Sequence, residues 1–226
     1  MQFLASSRLV GVPGLVHGFG QRVAGSREAA REAARNTLGD SGRVFFLKQV
    51  HGRGVGRPPW VEPPEADASV TGEAGYLLAI ETADCLPLLI VDPEKRRVAA
   101  AHAGWRGTVA RVAREVVRTL VDDGSDPRHL LAVLGPAIGP CCYEVGTDVE
   151  EAFGPSGSKF FVPGPTDRKH LDVVAANRVQ LEEAGLTSGN IDSLNLCTRC
   201  RQDLFFSYRR DGASAGRMIS LIGFSR

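Results

Sequence analysis

The chain has 226 residues, 43% hydrophobic and 23% charged, with 27 basic against 26 acidic side chains, which suits one substantial globular core. A net charge of +1 gives no general field for nucleic acid or an anionic membrane surface, so any phosphate recognition must be local. No apolar run approaches the roughly 18 residues of a membrane span, and residues 1–8 lack the basic-then-apolar pattern of a secretory signal; the expectation is a cytoplasmic protein, monomer or small homo-oligomer, that binds neither nucleic acid nor membrane.

In chain order, the Ala-rich stretch 26–40 reads as a helix, followed by a strand over 43–50 and a Pro-rich turn region over 57–64. Strands are predicted at 75–80, 86–91 and 97–103, then a helix over 108–123. In that helix Val109, Val112, Ala113, Val116, Val117, Leu120 and Val121 recur at helical spacing, while Arg111, Arg114, Glu115 and Arg118 take the other face. A strand over 130–134 comes next, and Thr147 with Glu150 fits a capping box that starts a short helix. A milder helix over 172–184 and strands at 191–196 and 218–222 complete the pattern. Several strands are apolar without alternation, as in strands covered on both faces. The expected class is therefore α/β: a single layered domain over 1–226 with a mixed β-sheet flanked by helices.

His51 follows the strand over 43–50, Cys85 precedes that over 86–91, and His102 closes that over 97–103. Strand ends are where side chains from distant positions converge on a ligand crevice in α/β sheets. Two imidazoles and a thiolate suit Zn²⁺, and three ligands leave a fourth tetrahedral position open, which implies catalysis. Single histidines beside strands are commonly satisfied structural residues, so spacing alone does not establish a shared site. Asp84 could orient a ligand or accept a proton; it could equally be a turn residue.

Five cysteines, Cys85, Cys141, Cys142, Cys197 and Cys200, are an odd number in a chain without a signal and argue against a disulfide framework. Cys141 and Cys142 read as an ordinary buried pair near a Gly-Pro turn, since neighbouring cysteines make a strained disulfide. Cys197 and Cys200 form a lone CxxC, weak evidence for a metal by itself; a four-thiolate site joining both pairs is the alternative.

The motifs Lys48-Gln49-Val50-His51-Gly52, Ala66-Asp67-Ala68, Thr82-Ala83-Asp84-Cys85-Leu86-Pro87 and Ala101-His102-Ala103-Gly104-Trp105-Arg106-Gly107 carry a resemblance. So do the stretches 135–146, from Gly135-Pro136 to Val145-Gly146, and 205–212, Phe205-Phe206-Ser207-Tyr208-Arg209-Arg210-Asp211-Gly212. From about Lys48 to the carboxyl terminus the chain resembles the YfiH family, also labelled multicopper polyphenol oxidase or laccase-domain proteins. The resemblance implies one α/β domain with Zn²⁺ held by His51, Cys85 and His102. It also implies phosphorolysis of adenosine, inosine, guanosine or methylthioadenosine, with adenosine deamination by some members.

The copper label fits the residues poorly. Cu(II) clusters need many imidazoles, and the chain has only His17, His51, His102, His129 and His170. Phosphorolysis requires cations for phosphate. Arg106, at the turn into the helix over 108–123, is the first choice as clamp, with support from the helix dipole. Lys48 could be a second cation, although alternation puts it on the opposite face from His51. Arg209 and Arg210 form a further basic pair, and Trp105 and Tyr143 could wall a nucleobase or simply pack in the core. Other readings stay open: an amidase that edits peptidoglycan precursors, with a variant in which Cys85 is a nucleophile and His102 its base, polyphenol oxidation, and a zinc-stabilised binding protein without turnover.

Overall fold

Residues 2–23, 27–36 and 42–226 are described by the computed structural model. The strands are β1 (Phe3–Leu4), β2 (Leu15–Gly20), β3 (Arg43–Phe45), β4 (Val55–Gly56), β5 (Ala68–Thr71), β6 (Tyr76–Thr82), β7 (Leu86–Asp92), β8 (Arg97–Ala103), β9 (Leu131–Leu134), β10 (Phe161–Pro163), β11 (Lys169–Leu171), β12 (Ile191–Ser193) and β13 (Met218–Phe224). The helices are α1 (Ser7–Val10), α2 (Arg27–Arg35), α3 (Trp105–Val109), α4 (Val112–Asp122), α5 (Thr147–Phe153), α6 (Val173–Glu183) and α7 (Tyr208–Asp211). No helix among the described residues is long and apolar enough to cross a membrane.

The apolar strands owe their lack of alternation to a second sheet. One sheet has the order β1-β2-β13-β6-β3 and the other β12-β9-β7-β8-β5-β4, beside a small β10-β11 ribbon. Both large sheets are mixed: β3 runs parallel to β6, and β12 to β9, while β7 and β8 are antiparallel. Successive side chains of a strand point to opposite faces. Thus Leu89 and Val91 of β7 meet Leu78, Ile80, Ile222 and Phe224 of the other sheet, whereas Leu86, Leu88 and Ile90 pack on Val112, Val116 and Leu120 of α4. On the outer face of the five-stranded sheet, Leu77, Ala79, Ile219 and Leu221 cover Ala30 and Ala34 of α2. The layers are helix, sheet, sheet, helix. The expected α/β class with mixed strands and flanking helices holds, in two sheets rather than one.

Local differences have physical causes. The helix read over 108–123 is two helices broken at Ala110 and Arg111, where Arg111 takes a left-handed φ of 64°. The strand read over 43–50 ends at Phe45 because the chain there leaves the first sheet for β4 of the second. The capping box does not form: Gly146 is the cap of α5 without a side-chain bond, and Glu150 pairs with Lys169. Both ends of the helix read over 26–40 lie outside the described residues. Strand β2, with Gly18 and Gly20, and β5, with Ser69, have too little apolar pattern to be read from sequence.

The chain also changes sheet between β6 and β7, through residues 83–85. That crossing and the one after β3 carry Cys85 and His51 towards the end of β8, where His102 pairs with Pro87.

Candidate functional site

Two sheet crossings and the end of β8 produce one cluster: the ligand atoms of His51, Cys85 and His102 lie within 4.8 Å of one another. The two imidazole rings sit 4.8 Å apart, nearly perpendicular. A Cβ on Gly104 would stand 2.9 Å from Cys85 Sγ and 3.2 Å from His51 Cδ2, so glycine leaves the space the cluster occupies.

Asp67, fully buried just before β5, organises the cluster. Its Oδ1 lies 2.8 Å from His102 Nδ1 and accepts the His51 N–H at 2.9 Å. Its Oδ2 accepts the N–H groups of Val50 and Gly52 at 3.1 and 2.6 Å. These bonds hold His51 at a left-handed φ of 61°, a conformation that costs a non-glycine residue roughly 1 kcal/mol or more. Burial raises the Asp67 pKa, but His102 and the N–H groups of Gly52 and His51 more than reverse this and keep it ionised below its ordinary range. The Ala66-Asp67-Ala68 motif contains Asp67 without indicating this role. The available signal was a lone carboxylate between two alanines, Ala66 and Ala68.

Burial likewise raises the Cys85 thiol, and His102 and His51 outweigh it to hold the thiol below its usual value. For His102, burial opposes the charged form while Cys85 and Asp67 together raise it. The arrangement favours a thiolate beside an imidazolium, with Nδ1 committed to Asp67 and Nε2 left for Cys85. A metal ion binding here would take the place of that Nε2 proton.

Asp84 has a left-handed φ of 83°, which Asp tolerates better than most residues. Its carboxylate is fully engaged, accepting Thr198 Oγ1–H at 2.6 Å, Ser207 Oγ–H at 3.0 Å and the Arg209 N–H at 2.6 Å. Its carbonyl accepts the Ile138 N–H at 2.9 Å. Asp84 thus ties two distant loops to the crossing that presents Cys85.

A cavity of about 430 Å³ opens beside the cluster, lined by His51, Asp84, Cys85 and His102 together with Tyr143, Tyr208, Arg209 and Arg217. Gln49 and Glu81 complete its wall and bond each other through Glu81 N–H to Gln49 Oε1 at 2.9 Å and Gln49 Nε2 to the Glu81 carbonyl at 2.8 Å. Arg31 of α2 clamps Glu81 from behind at 2.6 and 3.0 Å. Gln49, Glu81, Tyr208 and Arg217 were not singled out from sequence.

The remaining residues named from sequence divide. Tyr143 and Arg209 border both this cavity and a second one of about 330 Å³ that also holds Trp105, Arg106 and Arg168. Arg209 lies over the Tyr143 ring at 5.4 Å and donates to the Glu144 carbonyl at 2.7 Å; Arg106 lies over Trp105 at 4.4 Å. Two residues stand apart. Lys48 is exposed and pairs with Glu65 at 2.8 Å, and Arg210 is bound to Asp211 and to the carbonyls of Thr198, Arg199 and Phe205. Neither lines the cavity. Cys141, read as half of a buried pair, is exposed, and it gathers with Cys142, Cys197 and Cys200 in a second cluster. The other imidazoles are engaged elsewhere: His17 accepts the Ser6 N–H, His129 faces Glu94, and His170 contacts the Pro140 carbonyl.

Residues 19–225 match the family model described as multi-copper polyphenol oxidoreductase laccase. A purine nucleoside phosphorylase of Deinococcus radiodurans is 44% identical over 181 residues, covering 80% of this chain and 70% of that protein. An adenosine deaminase, RL5, from an unknown prokaryotic organism is 41% identical over 158 residues, covering 68% of this chain and 60% of that protein. The crystal structure of the Bacillus licheniformis hypothetical protein YfiH superposes with a TM-score of 0.81 at 29% identity, covering 93% of this chain and 92% of that one.

Proposed function

The chain belongs to the multi-copper polyphenol oxidoreductase laccase family, the family of YfiH, and on that premise we propose that it is a zinc-dependent purine nucleoside phosphorylase. Its substrates in this reading are phosphate and adenosine, inosine, guanosine or methylthioadenosine, with adenosine deamination as a further activity of the same pocket and the 226 residues acting as one domain. The observation that carries it is the convergence of His51, Cys85 and His102 on the wall of the 430 Å³ cavity, a volume within the roughly 300–1,000 Å³ of small-ligand sites. The donor set fits zinc, and the described residues bring together only two imidazoles there, too few for a multinuclear copper centre.

When bound, zinc would supply a Lewis acid able to polarise a substrate or water oxygen. His51, Cys85 and His102 would hold it, with Asp67 occupying His102 Nδ1 so that Nε2 would be free to ligate. Burial raises the Tyr143 pKa, with the Cys85 and Asp84 charges adding to it against Arg209 and Arg106. The phenol therefore stays protonated and can donate to an oxygen or ring nitrogen of the substrate. Arg209, between the two cavities, and Arg106 beyond it hold phosphate. A phosphate oxygen then attacks the anomeric carbon, the N-glycosidic bond breaks, and its electron pair leaves on the purine, which takes up a proton. Asp84, with its carboxylate fully engaged, positions Cys85 rather than transferring protons.

The test is product analysis by mass spectrometry with the zinc-loaded chain and a nucleoside panel. Free purine and the matching sugar 1-phosphate (ribose 1-phosphate, or 5-methylthioribose 1-phosphate from methylthioadenosine) are expected only when phosphate is present. Conversion of adenosine to inosine and ammonia without phosphate marks the deaminase activity, which the similarity to RL5 favours. No product from any nucleoside under either condition would overturn the proposal.

A further inference from the structure

Away from the His-Cys-His cavity, the fold gathers four cysteines from two distant segments. Strands β9 and β12 run parallel, paired from Ala132↔Ile191 to Leu134↔Ser193, and the pairing continues as a bridge between Ala137 and Cys197. The segments that leave these strands therefore travel side by side. Cys141 and Cys142 end one of them, and Cys197 and Cys200 lie on the other. All four sulfur atoms fall within 4.8 Å of one another, with Cys200 Sγ at 3.6 Å from Cys141 Sγ and 3.4 Å from Cys142 Sγ.

Those separations have a simple geometric meaning. Four sulfurs at about 2.3 Å from a tetrahedral zinc stand about 3.8 Å from each other, whereas a disulfide requires about 2.05 Å. All four are free thiols. The Gly139 N–H donates to Cys197 Sγ at 3.3 Å, and the backbone N–H groups of Arg199 and Cys200 also point at that sulfur. Such donors stabilise a thiolate. The Arg199 side chain bonds Cys142 and lies near Cys197 and Cys200, offering positive charge to a site rich in sulfur.

We propose that Cys141, Cys142, Cys197 and Cys200 form a second metal site that holds a zinc-class divalent ion through four thiolates. Each thiol gives its proton to solvent as its sulfur bonds the metal, whose oxidation state does not change; the resulting double negative charge is partly offset by Arg199. Four protein ligands close the coordination shell, so the site is structural. It clasps the segment that carries Tyr143 to the segment that carries Thr198, Ser207 and Arg209. Thr198, inside the CxxC, is the residue that donates to Asp84 Oδ1 at 2.6 Å, one position before Cys85. The clasp thus fixes one wall of the cavity, and it stands whether or not the pocket handles nucleosides.

The experiment is reconstitution of the full chain, reduced and anaerobic, with zinc alone or cobalt(II) alone. In His102→Ala, about one equivalent of metal should remain, and the cobalt form should show the intense charge-transfer and d–d bands of a four-thiolate centre. In Cys197→Ser/Cys200→Ser that spectrum should vanish. Because this double variant can unfold, peptide-resolved alkylation of the unmutated zinc-loaded chain gives a second reading: Cys141, Cys142, Cys197 and Cys200 should be protected at least tenfold relative to the metal-free chain. A folded His102→Ala protein that takes up no metal would overturn the proposal. So would four thiols that react equally with and without zinc, or a disulfide among them in the anaerobic protein.

Discussion

Asp67 Oδ1 meets His102 Nδ1 at 2.8 Å, between side chains that are 0% and 4% exposed. That contact joins the end of β8 to the residue just before β5, and the same carboxylate collects three backbone N–H groups from the His51 turn. One buried side chain therefore sets the tautomer of one imidazole and the backbone of the other.

Asp67→Asn should weaken zinc binding by about 10- to 100-fold, because the amide oxygen can accept some of these bonds but lacks the negative charge that raises the basicity of the ligating His102 imidazole. Asp67→Ala should in addition destabilise the metal-free fold by on the order of 3 kcal/mol, as several buried donors lose their acceptor. Zinc titration and urea unfolding measure the two effects. Unchanged affinity in Asp67→Asn would remove Asp67 from the site.

Gly104→Ala tests the cluster without touching a ligand. The backbone there has an ordinary φ of −72°, so alanine brings no conformational penalty, only a methyl at 2.9 Å from Cys85 Sγ. The expected result is a chain that folds, with zinc affinity and activity both reduced at least tenfold. Wild-type zinc affinity would mean that Cys85 is not at the metal.

The Cys85 thiol is held below its ordinary range by His102 and His51 against its burial. The thiolate is the nucleophile, so a lowered pKa moves the midpoint of alkylation to lower pH than the roughly 8.5 of a free thiol. Peptide-resolved iodoacetamide labelling of the metal-free chain should show this shift at Cys85. His102→Ala should return the midpoint upwards, and zinc should suppress labelling across the range. A midpoint at or above roughly 8.5 in the metal-free chain would contradict the ion-pair account.

Arginine substitutions separate phosphate binding from scaffolding. Arg209→Ala and Arg106→Ala should each raise the KM for phosphate by roughly 10- to 150-fold, the equivalent of about 1.5–3 kcal/mol for a lost charged hydrogen bond, and spare deamination. Arg210→Ala should leave that KM unchanged and lower the Tm, since its guanidinium holds the carbonyls of Thr198, Arg199 and Phe205. Steady-state kinetics with phosphate varied, beside thermal melts, decide it.

Much was legible before folding was considered. The uninterrupted apolar runs of β7 and β8 announced strands covered on both faces, and the periodicity of Val112, Val116 and Leu120 announced the helix that covers one of them. His51, Cys85 and His102 could be named because metal ligation depends on residue type, and the motifs around them resembled a known family. These are local properties, written in a few consecutive side chains.

What covered the second face of those strands was not local. Only long-range packing could reveal that it is another sheet, with Leu89 and Val91 against Leu78 and Phe224. The same holds for charge and polarity at the site. Arg210 looked as available as Arg209, and Lys48 was a weaker candidate on the opposite face from His51, but Asp211 and Glu65 occupy them, while Asp67 gained its role from partners 15, 16, 17 and 35 residues away. Sequence by itself determined which residues had the chemistry to act. The tertiary structure decided which of them meet, because sheet crossings, and not chain neighbours, bring their atoms within bonding reach.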